Sequence, residues 1–232
     1  MPDIVHLHGT VTATAIAQVT ARMKHSFSRQ HMFAAEHFAA SARTIEDSGP
    51  SANQEDLNRH RAYATAAVLS AVAFLESSIN EFYHEAQNRD TNSLSPLKEK
   101  VLALLDQFWP ELERSSVLHK YQVALLIADT QRFDQGGQPY QDADSLIKLR
   151  DALVHYKPEW DDEQGRHHSL QERLQHKFQE NRLVPAGSLW FPHLCLGAGC
   201  ANWAVSAAGR FSDEFCSRLG IPPRHWRVEG AA

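Results

Sequence analysis

Between Asp142 and Pro158 the chain places Leu146, Leu149, Leu153 and Tyr156 at steps of three and four residues. That spacing returns to one face of an α-helix and to no face of a β-strand. Asp142 and Asp144 suit the positive end of such a helix, and Pro158 disfavours helical backbone at Lys157 and so closes it. The same period recurs along most of the sequence, and strand-like alternation persists nowhere. These two facts confine the chain to an all-α bundle.

The punctuation divides the chain. Ile16, Val19, Met23, Phe27, Met32, Phe33 and Phe38 fall broadly at helical spacing, which predicts an N-terminal helical extension over residues 1–50. Ser48-Gly49-Pro50-Ser51-Ala52-Asn53 is the clearest turn, and a bundle is expected to follow it over residues 54–222. Its predicted elements are a long helix from Glu55 to Asn88, a break over Arg89–Ser93, and a shorter helix from Pro96 that Pro110 interrupts. Helices follow over Ser116–Phe133, over the Asp142 stretch, over Leu170–Phe178 and over Cys195–Leu219. The last is stopped by Gly220 and Pro222-Pro223.

With 232 residues, 43% of them hydrophobic, the chain can bury one full core. It has no run of eighteen apolar residues and no basic start followed by an apolar stretch, so neither a membrane span nor a signal peptide is expected. The three cysteines, Cys195, Cys200 and Cys216, are odd in number and clustered, which fits free thiols in the cytoplasm better than a disulfide framework. A net charge of -5 argues against a protein that coats nucleic acid. It leaves room for one that meets a few phosphates in a local groove.

Candidate chemistry centres on Arg150-Asp151-Ala152-Leu153-Val154-His155. Arg150 and His155 flank the apolar stripe; a step of five residues turns about 140° around a helix, so the two do not stack but can both lean toward a groove beside the buried face. His155 falls near the last turn, where carbonyls without partners favour an imidazolium, and this places it to titrate near neutrality. Arginine, a polar residue, three more residues and histidine near the end of a late helix resemble the signature of the HEPN family. The run Ala71-Val72-Ala73-Phe74-Leu75-Glu76-Ser77-Ser78-Ile79-Asn80-Glu81-Phe82-Tyr83 is similar to the opening core helix of many HEPN proteins.

The resemblance implies an antiparallel four-helix bundle, here with additional N-terminal and connecting helices, and a metal-independent endoribonuclease with no cofactor. In that chemistry the ribose 2'-hydroxyl attacks the adjacent phosphate and leaves a 2',3'-cyclic phosphate. Arg150 would hold the phosphate, His155 would move protons, Asp151 or Asn80 would orient them, and Glu76 and Asn80 on the earlier helix would orient Arg150 or line the groove. One histidine does not readily serve both ends of an in-line displacement, so the family's usual homodimer is expected to complete the site on an RNA substrate. Toxins of the family are restrained by an antitoxin that modifies a tyrosine two positions beyond the histidine. Here that position is Lys157, and Tyr156 adjoins the histidine instead. Phage defence, stress response and an operon partner follow by association with the family alone.

A plainer reading of the same residues stands beside this one. Arg150 can pair with Asp151 or Glu76 while His155 caps its own helix, and Glu76 and Asn80, one turn apart, can form a solvated strip beside the core. On that reading the chain is a non-catalytic helical module that binds nucleotide or protein, or a structural subunit of a complex. The fourteen histidines invite metal hypotheses at His6-Leu7-His8, at His167-His168 and at His193-Leu194-Cys195 with Cys200. None has the paired spacing of a zinc framework, and no metal is expected.

Overall fold

The structure is a computed structural model that describes residues 26–49, 53–89, 91–157 and 167–225. Eight α-helices account for the regular structure among the described residues: α1 (Ser28–Asp47), α2 (Gln54–Gln87), α3 (Thr91–Leu94), α4 (Glu99–Leu112), α5 (Val117–Ile127), α6 (Tyr140–Val154), α7 (His168–Leu174) and α8 (Ala198–Leu219). A π-helical turn, Trp190–Leu194, kinked at Phe191 where the backbone is extended (φ -112°, ψ 128°), precedes α8. The described chain is all-α, as the periodicity requires.

The long helix α2 is the hub, packed by α1, α4, α5, α6 and α8. Asn53 starts it with a reciprocal capping box to Asp56. By length and hydropathy α2 contains a window apolar enough to cross a membrane, and half of that window is buried in this core. Its face carries Phe74, Phe82 and Tyr83 inward. Phe82 meets Phe215 of α8 edge-on at 5.3 Å between ring centres, and Phe215 in turn meets Tyr121 of α5 at 4.7 Å. Phe211 extends the cluster to Tyr121 and Phe133. Full burial of such a ring contributes about 1.5–3 kcal/mol, and each edge-on pair adds about 0.5–1.5 kcal/mol.

Two carboxylates fix how α1 lies on this hub. Near the start of α1, Glu81 of α2 accepts hydrogen bonds from the backbone N–H groups of Phe27 and Ser28 at 2.8 and 2.9 Å and from the hydroxyls of Ser26 and Ser28 at 2.7 and 2.6 Å. Phe27, at the N-cap position, has no capping oxygen of its own, so a side chain from another helix does the capping. At the far end of α1, buried Glu46 accepts from His60 Nε2 at 3.0 Å, from the Ala198 N–H at 2.6 Å, and from the backbone N–H and Nε of Arg182, both at 3.2 Å. Partner numbers fall from 81 to 60 as α1 numbers rise, so α1 and α2 run antiparallel. Because Ala198 opens α8 beside His60 while Phe215 lies beside Phe82, α8 runs parallel to α2.

Several boundaries differ from the periodicity. The described part of α1 is no extension: Met32, Ala35, Ala39 and Ala42 are buried in the common core, while Phe27 and Phe33 are 63% and 67% exposed. Ile16, Val19 and Met23 lie outside the described residues. Pro110 does not interrupt α4, because it sits in the last turn, where a missing N–H forfeits a single ladder bond. α5 ends at Ile127, six residues early, as Asp129 takes a left-handed conformation (φ 54°) and the Thr130 N–H turns back to the Leu125 carbonyl at 2.9 Å. Cys195 precedes α8: Gly197 and Gly199 bring the backbone there against Asn181 and Gln179, and a Cβ on Gly199 would stand 2.1 Å from the Gln179 carbonyl oxygen. The expected stop at Gly220 is present as a left-handed C-cap (φ 66°).

Burial alone would raise the Glu46 carboxyl, but its hydrogen bonds from His60, Ala198 and Arg182 outweigh that and hold it at about 2. A depressed carboxylate contributes stability above its unfolded value of about 4.3 and loses it as pH falls toward the folded value. Glu46→Gln is therefore expected to cost about 3 kcal/mol at pH 7, with the gap to wild type narrowing between pH 4.5 and 2, as read by urea denaturation at each pH. Glu81→Ala should cost about 1–2 kcal/mol and selectively speed hydrogen exchange of the first amides of α1.

Candidate active site

The buried stripe of α6 holds through Ala143, Leu146 and Leu149 and then lifts from the core. Leu153 is half-buried, Val154 is 57% exposed and Tyr156 is 44% exposed. Helical spacing puts Lys148, Asp151 and His155 on one side of this rising end, and α7 faces them with Arg173. Between the two helices lies a cavity of about 440 Å³, lined also by Lys157 and His167. That volume lies within the range of small-ligand sites.

His155 occupies the C-cap position of α6, where its N–H donates to the Asp151 carbonyl at 2.9 Å, and it lines the cavity. The cations around it are placed by carboxylates. Asp144 accepts from Lys148 Nζ at 2.6 Å and from Arg173 Nη1 at 3.0 Å, which spaces an ammonium and a guanidinium along one edge. Set against Asp151, Lys148, Lys157 and Arg173 give the lining an excess of positive charge in a chain whose net charge is -5.

Arg150 is a quarter-turn away on α6 and does not line the cavity. Its Nε lies 2.8 Å from Asp151 Oδ1, an ion pair whose angle does not make a hydrogen bond. The expected convergence of Arg150 and His155 on one groove thus resolves into two positions: His155 and Asp151 line it, and Arg150 stands behind Asp151. The plainer pairing with Asp151 is present, and so is the C-cap position of His155.

Glu76 and Asn80 serve a different element. Asn80 Oδ1 accepts from Lys120 Nζ of α5 at 2.8 Å, and neither residue lines the cavity of His155. Burial pushes the Lys120 ammonium below its ordinary value, and the Glu76 and Glu113 carboxylates push back. The expectation that Glu76 and Asn80 orient Arg150 gives way to this contact, because their face of α2 looks toward α5.

Tyr156 has a role that its sequence position did not suggest. Its ring lies parallel to that of His167, 4° apart in plane and 5.9 Å between centres, while Phe191 of the π-helical turn closes on His167 at 4.7 Å. Tyr156 and Phe191 also meet each other at 6.0 Å, so the second histidine of the cavity is one corner of a three-ring cluster. His167 entered the sequence reading only as half of a histidine pair and a weak metal candidate. Eleven residues separate it from His155, and the aromatic Tyr156 beside the motif was the one local signal that a planar group packs there.

No group of three or more histidine, cysteine, aspartate or glutamate side chains converges as a metal site among the described residues. His6 and His8 lie outside them. His193 Nδ1 meets Arg61 Nη2 at 2.9 Å. Cys195 and Cys200 do come together, because α8 begins only after Gly197 and the two do not share one helix; burial and the Cys200 thiol push the Cys195 thiol well up and keep it protonated. Compared with known proteins, the chain matches no family model, no curated protein and no solved structure.

Proposed function

We propose that this chain is a metal-independent endoribonuclease of the HEPN type whose reaction takes place in the cavity between α6 and α7. One observation carries the reading: two histidines, His155 and His167, line one cavity with Lys148, Lys157 and Arg173. Transesterification of RNA needs a base for the 2'-hydroxyl proton, an acid for the departing 5'-oxygen, and cations for the five-coordinate phosphate. One imidazole takes the 2'-proton as the new P–O bond forms. The other gives a proton as the bond to the 5'-oxygen breaks, and the products are a 2',3'-cyclic phosphate and a 5'-hydroxyl end. The three cations hold the charge that develops between those events.

This assignment changes the part given to Arg150. With its Nε beside Asp151, it is a positioning residue for the acid that adjoins His155, and the nearer cations take the phosphate. His167 supplies within one protomer the second proton-transfer group that a dimer would otherwise provide. A homodimer then serves to extend the RNA surface. Toxin activity, phage defence or stress-induced RNA cleavage, with a restraining partner, remain the cellular settings that the family resemblance suggests.

A second reading is favoured by the capping position of His155 and the pairing of Arg150 with Asp151: a helical module that binds a phosphate-bearing ligand without cleaving it. RNA incubated in EDTA separates the two. Wild type should yield cyclic-phosphate ends, and His155→Ala and His167→Ala should each lower the rate by about 10²–10⁴-fold while keeping the helical circular dichroism. Intact RNA with every protein, together with retained RNA binding, would establish the module and sink the nuclease.

A further inference from the structure

A second cavity, of about 450 Å³, opens at the other end of α6, where that helix, α8 and the segment after α7 meet. Its floor is Asp142, whose side chain is 10% exposed. Asp142 Oδ1 accepts from Gln138 Nε2 at 3.1 Å and Lys177 Nζ at 2.6 Å, and Oδ2 accepts from Arg210 Nη2 at 3.0 Å. Both carboxylate oxygens are thus engaged, and two cations stand over one buried anion.

An ordinary ion pair would close on itself. Here the carboxylate is split between an ammonium and a guanidinium that lie on different walls, and the Arg210 side chain remains 57% exposed with donors beyond the one given to Asp142. Two further residues line the same space. Ser206 lines it from the exposed side of α8, and Trp203, only 7% exposed, lines it from within. The indole Nε1 of Trp203 is buried and has no hydrogen-bond partner among the described residues.

We infer that this cavity is a phosphate-binding site, separate from the one that holds His155. Donors on several walls fit a tetrahedral oxyanion better than a planar carboxylate, which one fork would satisfy. A cation is disfavoured, because Asp142 is the one acid in the lining and its oxygens are occupied. The phosphate can come from a free nucleotide or from an RNA strand leaving the first cavity. Asp142 and Asp151 are about 14 Å apart along α6 at 1.5 Å per residue, and Arg173 and Lys177, four residues apart, mark the way between the cavities. The strand source rests on the nuclease reading, and the nucleotide source does not.

The test uses the full chain carrying His155→Ala, so that RNA is not consumed, with Arg210→Ala and Ser206→Asp as surface variants of the second cavity. Binding of adenosine 5'-monophosphate and of a six-nucleotide RNA is followed by calorimetry and by the indole N–H resonance of Trp203, assigned through Trp203→Phe. Binding of the monophosphate that shifts this resonance and weakens tenfold or more in both variants establishes the site with a free nucleotide as its source. The same behaviour with the RNA alone establishes it with the strand as its source. An indole resonance that neither probe moves, or affinities that both variants leave unchanged, overturns the proposal, whether or not the His155 cavity cleaves RNA.

Discussion

The buried carboxylate of Glu46 ties together parts of the chain that nothing local would join. It lies on α1, and it receives a histidine of α2, the first N–H of α8 and both backbone and side chain of Arg182. A charge so enclosed is tolerated because every donor around it is aimed at it, and the loss of any one would leave a costly group behind. Its position has a further effect. By fixing the start of α8 and the Arg182 segment, it also fixes the intervening π-helical turn, and that turn carries Phe191 against His167. The geometry of the candidate site therefore reaches back to a contact between the first and last helices described.

Along α6 the charges follow one plan repeated. Asp142 gathers Lys177 and Arg210, and Asp144 gathers Lys148 and Arg173. In each case an acid fixes the bases and leaves a net positive rim at a cavity. This is how a chain with net charge -5 presents two cationic hollows: total charge says little about local field where carboxylates act as anchors.

Much of the scaffold was legible in the sequence. α2, α6 and α8 show the helical period strongly, and Gly220 and Asn53 mark termini by conformations or side chains that few other residues supply. What misled was composition. α1 buries alanines and exposes Phe27 and Phe33, so the large apolar residues pointed to the wrong face. The end of α5 depended on the backbone conformation of Asp129, which residue type does not announce. The site was legible in part: His155 and Asp151 follow from the motif and its helical spacing. His167, Lys148 and Arg173 join them through the packing of α7 on α6, and Arg150 turns away because a step of one residue swings a side chain about 100° around the helix. Neither the packing partner of a short helix nor a side chain's choice of nearest acid is written in periodicity.

The lift of α6 from the core after Leu149 separates two kinds of constraint. Residues up to that point are held by packing, and changes there are felt by the whole molecule. Those beyond it, from Asp151 to Lys157, border solvent and carry little of the core, so their free energy of opening belongs to the low end of the range within one protein. Such an arrangement lets selection rewrite the residues that line the candidate cavity without endangering the scaffold. Descendants of one ancestral bundle can diverge in what they bind or cleave while keeping nearly the same interior.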